Sequence, residues 1–298
     1  MLDKRANLNG KTAALLGGGG GIGRAVTMAL AQMGVNVALF DKDGDALLET
    51  SAAVEALGVR CLTQQGDVLS SDDVRNFFDR VGAECDKLDI LVNVAGGVKQ
   101  RDFMDGTDDI DAQEIRRNYG YVIQSIRLAV PLMERGGRGG SIVNFTTIEA
   151  YRGAAGYAVY AGAKAATVNL TRALATELGP RGIRINEVTP DTTPSAGNMN
   201  AMRPELSARL ADMKPEEFAP AMALYVPLGA PPAMEDLADA VVFLVSDLAR
   251  SITGVALKVD GGTSAAMGFL NWPYGEGYGP APIGLSAKAL FRDIDPIA

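Results

Sequence analysis

The chain contains no histidine. That absence removes serine-histidine-aspartate and cysteine-histidine nucleophile systems, and histidine-built zinc sites with them. Any proton transfer must then fall to Tyr, Lys, Asp, Glu or Cys. Cysteine is nearly as scarce: Cys61 and Cys85 are too few for a disulfide framework or a thiolate metal centre. No metal site is expected. No apolar run approaches the roughly 18 residues needed to cross a bilayer. The opening stretch MLDKRANLNGKT has no apolar signal-like region, so a cytoplasmic protein with no membrane partner is expected. Positive charge is in deficit: Lys and Arg number 28 against 36 Asp and Glu, a net charge of −8 with a pI near 4.8. A nucleic-acid partner is therefore not expected.

What is present is a chain of 298 residues, 47% hydrophobic and 21% charged, with ample material for a large core. Short apolar runs alternate with amphipathic ones. TAALL (12–16), VNVALF (35–40), VRCLTQ (59–64), LDILVNV (88–94), SIVNF (141–145), IRINEV (183–188) and VALKVD (255–260) read as strands. Stretches such as IGRAVTMALAQM, DALLETSAAVEAL and SDDVRNFFDRVGAE carry helical periodicity between them. This alternation predicts an α/β fold with a doubly wound parallel sheet of about seven strands. With no linker and no repeat, residues 1–298 read as a single domain. Two stretches break the rhythm: 190–234, rich in Pro, Met and Ala, reads as a lid over the substrate. The tail 263–298, rich in Gly, Pro and aromatics around NWPYGEGYGPAPIG, reads as an extension lying against the body or a neighbouring subunit.

Two stretches carry chemistry. LLGGGGGIGRA (15–25) follows the first strand and opens a helix, where a dinucleotide pyrophosphate sits on a helix N-terminus. At 156–164, GYAVYAGAK offers one lysine two tyrosines: Tyr160 is four residues and Tyr157 seven residues before Lys164, and both spacings share a helix face. Asp41, after the second strand, is placed to accept the hydroxyls of an adenosine ribose and to repel a 2′-phosphate. NAD is expected over NADP, with Lys42 keeping the second open.

The spacing Gly17-x-x-x-Gly21-x-Gly23, with Gly20 and Ile22 inside it, resembles the loop of the single-domain short-chain dehydrogenases/reductases, with Leu16 where that family usually has Thr. Further marks follow in the family's order. Asp67-Val68 resembles its adenine-contacting pair, and VNVAG (92–96) its Asn-Asn-Ala-Gly turn, through Asn93, Ala95 and Gly96. The resemblance implies a Rossmann fold and an active-site tetrad: Asn118, Thr147 in place of the usual Ser, Tyr160 as acid/base, and Lys164 supporting Tyr160 and holding the nicotinamide ribose. It places Pro190 and one of Thr192, Thr193 or Ser195 beside the nicotinamide. Glu149, Tyr157 and Met199 fall in the substrate pocket, and Met199, Met202, Met213, Met222 and Leu224 suit either an apolar lid or the packing of a helical pair. Lys99 and Arg101 are weighed as contacts for a substrate carboxylate and as a solvated loop. The activity implied is NAD-dependent interconversion of a secondary alcohol and a ketone on an apolar small-molecule substrate, cyclic compounds among the candidates. A homo-oligomer, tetramer or dimer, paired through 107–134 and 158–178, is also implied. The alternatives are a 3-oxoacyl reductase, an enoyl thioester reductase working through Tyr157, and a dinucleotide-binding scaffold without turnover.

Overall fold

A computed structural model describes residues 2–135, 137, 139–191, 193–195, 208, 213–290 and 292. The chain enters through a short helix, α1 (Leu2–Ala6), into β1 (Thr12–Leu16), whose five residues are all buried. A strand covered on both faces needs apolar side chains on both, hence TAALL rather than an alternating pattern. The glycine loop leads to α2 (Gly21–Gln32) and β2 (Asn36–Asp41). Helix α3 (Gly44–Glu55) starts where the Asp43 carboxylate accepts from the Ala46 amide at 3.1 Å, and β3 (Cys61–Gln65) follows. Helix α4 (Ser71–Glu84) is capped by Ser70, with Asp72 and Asp73 in its first turn, and leads into β4 (Ile90–Asn93).

Next come α5 (Asp108–Ile115), α6 (Tyr121–Glu134), β5 (Gly140–Phe145), α7 (Ala158–Leu178) and β6 (Ile183–Pro190). Then follow α8 (Pro215–Tyr225), α9 (Met234–Val245), β7 (Ala256–Val259) and α10 (Thr263–Ala266). The seven strands form one parallel sheet in the order β3-β2-β1-β4-β5-β6-β7. The expected doubly wound sheet is thus present. Its strand order reverses between β1 and β4, which opens a crevice above their C-terminal ends.

Helices α2 and α9 pack together on one face, burying Val26, Leu30, Val241 and Leu244 against Leu15 and Val143. On the other face α4, α6 and α7 enclose Phe77, Phe78, Ile126, Leu178, Leu91 and Ile142. The stretch expected as one helix over 107–134 is interrupted by a π turn at Arg116–Gly120. The tail also departs from an irregular reading. Strands β8 (Leu270–Trp272) and β9 (Gly277–Gly279) pair antiparallel, the Trp272 indole donates to the Gly279 carbonyl at 3.1 Å, and β8 packs against α8. A last helix, α11 (Gly284–Leu290), follows. Among the described residues no helix is long and apolar enough to cross a membrane, and no cluster of His, Cys, Asp and Glu could hold a metal ion.

Candidate active site

The crevice is a cleft of 1210 Å³ running from Asp41 and Asp67 at one end to Tyr160 and Lys164 at the other. Its floor is the glycine loop. Gly17 has φ +86°, and a Cβ there would stand 2.6 Å from the Ala95 amide nitrogen. A Cβ on Gly23 would stand 1.7 Å from the Gly17 carbonyl oxygen, so α2 can begin directly under the loop only with glycine at that position. The Leu16 departure leaves the loop braced from elsewhere: Thr27 donates to the Gly18 carbonyl at 3.0 Å and Thr50 to the Gly19 carbonyl at 2.7 Å. Sequence reasoning missed both threonines, because each lies on a helix whose contact with the loop is tertiary.

Gly17, Gly20, Gly21, Ile22, Gly23, Asp41, Asp67, Val68, Ala95, Gly96, Pro190 and Thr193 all line the cleft. At the end of β2, one Asp41 oxygen accepts from the Gly19 amide at 3.0 Å and the other from Asp43 at 3.2 Å. Asn93 is a correction. Its side chain is buried beneath the turn, donating to Asn144 at 2.9 Å and accepting from Ser125 at 2.7 Å, and it does not line the cleft. Thr192, Met199 and Met202 lie outside the described residues. Arg101 is taken up by Asp111 and Glu114.

At the far end, Thr147, Glu149, Tyr157, Tyr160 and Lys164 share one wall. Tyr160 is hydrogen-bonded with Thr147 and its ring centre lies 5.9 Å from Lys164 Nζ. Lys164 is buried and donates to the Phe145 carbonyl oxygen at 2.9 Å. Burial pushes its pKa down to about 8, against the upward pull of the Glu187 carboxylate. Burial also raises the Tyr160 pKa, the Glu149 charge adds to that rise, and the Thr147 hydrogen bond opposes it.

Asn118 sits in the π turn and is fully buried rather than solvated. Its amide nitrogen donates to the Gly97 carbonyl at 2.9 Å, and its oxygen accepts from the Gly97 amide at 3.2 Å. It thus fastens the turn after β4 without lining the cleft. Tyr121 adds a second tie, donating to the Ala95 carbonyl at 2.6 Å.

Three residues that sequence reasoning did not assign complete the wall. Arg152 donates to Glu149 at 2.6 Å and to the Tyr225 hydroxyl at 2.6 Å, and Tyr225 donates to Asp191 at 2.8 Å. Behind the wall lies Glu187, 1% exposed, which accepts from Thr146 at 3.1 Å; burial raises its pKa to about 7.

A family model described as Enoyl-(Acyl carrier protein) reductase matches residues 17–264. L-rhamnose 1-dehydrogenase (NAD(P)(+)) of Sphingomonas sp. (strain SKA58) is 35% identical over 256 residues, covering 86% of this chain and 96% of that protein. 7alpha-hydroxysteroid dehydrogenase of Escherichia coli (strain K12) is 30% identical over 259 residues, covering 86% and 94%. Among solved structures, carveol dehydrogenase from Mycobacterium avium in complex with NAD superposes with a TM-score of 0.78 at 31% identity, covering 87% of this chain and 99% of that one. A glycine cradle under a reversed strand order, and relatives aligned along nearly their whole length, lead to one conclusion: the chain belongs to the short-chain dehydrogenase/reductase family of NAD(P)-dependent oxidoreductases.

Proposed function

We propose that the protein interconverts a secondary alcohol and a ketone with NAD, and that Tyr160 takes and returns the hydroxyl proton. The observation that carries this reading is the position of Tyr160 on the cleft wall, bonded to Thr147 and 5.9 Å from the Lys164 nitrogen. The cleft fits a dinucleotide. Its glycine cradle would be filled by a Cβ at Gly17 or Gly23, and it ends on the N-terminus of α2. The Asp41 carboxylate, pinned by Gly19 and Asp43, supports NAD over NADP, because a 2′-phosphate beside it would meet like charge. Gly20, Gly21 and Ile22 would hold the pyrophosphate, Asp67 and Val68 the adenine side, and Lys164 the nicotinamide ribose. When bound, the nicotinamide supplies the hydride acceptor or donor.

The protein's own groups handle the proton and the substrate oxygen. Lys164, cationic at neutral pH, favours the Tyr160 phenolate. Thr147 holds the reacting oxygen, and Asn118 fixes the turn over which the reaction takes place. Relatives named for a sugar and for a steroid leave the substrate open. The apolar lid belongs to this reading through Met213 and Phe218, which line the cleft. Residues 190–234 would form that lid, 263–298 the extension, and 1–298 one domain. Pairing of copies through α5, α6 and α7 is part of the same reading, supported by Ile110 and Ile115, exposed at 44% and 45% on α5.

Phenylalanine placed separately at Tyr157 and Tyr160 tests the proposal. Tyr160→Phe is expected to lower kcat for alcohol oxidation by about 10²-fold or more while leaving NADH binding intact. Loss through Tyr157→Phe instead, with turnover of an enoyl thioester, would favour the enoyl reading. Cofactor binding without turnover of any alcohol, ketone or thioester would favour the scaffold.

A further inference from the structure

A threonine hydroxyl owns one proton, and here Thr147 gives it to the Glu149 carboxylate. For Thr147 to donate to a substrate's reacting oxygen, it must release Glu149. That carboxylate would then lose a hydrogen bond at the cleft wall, and such a loss is costly.

The rest of the wall makes an apolar group a poor replacement. Glu149 is held on its other oxygen by Arg152 at 2.6 Å. Arg152 lies 3.6 Å from Asp191 and 2.6 Å from the Tyr225 hydroxyl, which in turn donates to Asp191 at 2.8 Å. Two carboxylates thus share one guanidinium, and Glu149, Arg152 and Asp191 all line the cleft. The side chains are fixed by one another, so the acceptor presented beside Thr147 is preorganised. What the site lacks, once Thr147 turns to the reacting oxygen, is one hydrogen-bond donor to Glu149, whose carboxylate touches the Thr147 hydroxyl and so lies next to that oxygen.

We infer that the substrate is a vicinal diol, oxidised to the α-hydroxy ketone, and that its second hydroxyl donates to Glu149. This rests on the alcohol/ketone reading above. The reacting carbon loses a hydride to the oxidised nicotinamide, and its hydroxyl loses a proton to Tyr160. The second hydroxyl keeps both of its bonds and replaces Thr147 as the donor to Glu149. Glu149 is then the residue that sets specificity, and Arg152, anchored by Tyr225 and Asp191, positions it.

Matched alcohols test the inference: 1,2-cyclohexanediol against cyclohexanol, and 2,3-butanediol against 2-butanol. Each is assayed with NAD and the wild-type protein, Glu149→Ala and Glu149→Gln. Binding without turnover is read by calorimetry on Tyr160→Phe with NAD, in the presence and absence of Glu149→Ala. The wild type is expected to favour the diols by at least about tenfold in kcat/KM, the size of one charge-assisted hydrogen bond. Tyr160→Phe is expected to bind them correspondingly tighter than the mono-alcohols. Glu149→Ala should erase both preferences. Glu149→Gln, which keeps the side-chain volume, should lie between them. Equal use of diol and mono-alcohol by the wild type, or a diol preference that survives Glu149→Ala, overturns the inference and leaves the reaction standing. Diol-selective binding to Tyr160→Phe with no alcohol turned over by the wild type would instead sink the proposed reaction and uphold Glu149 as the recognition group.

Discussion

Lys164 places its ammonium nitrogen 5.9 Å from the centre of the Tyr160 ring while donating to the Phe145 carbonyl oxygen at 2.9 Å. The lysine is therefore held by the end of β5, not by the tyrosine, and acts on Tyr160 through charge.

That geometry fixes the outcome of removing the charge. Lys164→Met should retain the fold and lower kcat/KM for alcohol oxidation by about 10²-fold. The rise of kcat/KM with pH, as Tyr160 loses its proton, should move to higher pH by about one unit or more. A pH–rate profile of both proteins checks this. An unmoved profile would mean that Lys164 does not tune Tyr160.

Glu187 makes a separate prediction about stability. Burial raises its pKa to about 7, well above the ordinary 4.5 of a glutamate. The folded protein thus keeps a proton that the unfolded chain has already lost. Its contribution is fully present below about pH 4.5 and is lost as pH rises through about 7. Glu187→Gln should remove that slope, gaining on the order of 2 kcal/mol over the wild type between acid and neutral pH, or roughly 4 °C in Tm. Thermal melts from pH 4 to pH 8 compare the two, and parallel curves would exclude Glu187 as the source.

Asp41→Ala should weaken NADH binding by about tenfold and spare NADPH. Fluorescence titration with each cofactor measures it. Because Asp41 also holds the Gly19 amide at 3.0 Å, equal weakening of both cofactors would mean that it serves the loop rather than the ribose.

The fold was legible because its strands are buried on both faces and so appear as unbroken apolar runs, as in TAALL and SIVNF. The glycine loop and the Tyr160–Lys164 spacing were legible because each is local in sequence. Residues that meet across the fold were not. Arg152, Asp191 and Tyr225 come from the loop before α7, the end of β6 and the end of α8, with no periodicity linking them. The π turn escaped because RRNYG has ordinary helical residues, and its widening is held by Asn118 bonding to Gly97, a contact between distant segments. The β8–β9 hairpin escaped because three-residue strands bounded by glycine carry too little alternation to register.

Beneath the sheet's C-terminal edge, Ser125 donates to Asn93 at 2.7 Å, Asn93 to Asn144 at 2.9 Å, and Asn144 to Thr171 at 3.0 Å. All four side chains are buried, each answering the next in a fixed direction. Altering one member leaves its neighbour with an unmet bond and no water to turn to. Substitutions along this relay should therefore be strongly non-additive: single changes costly, matched pairs much less so. A chain drifting in sequence could rewrite this buried layer only by changing these positions together.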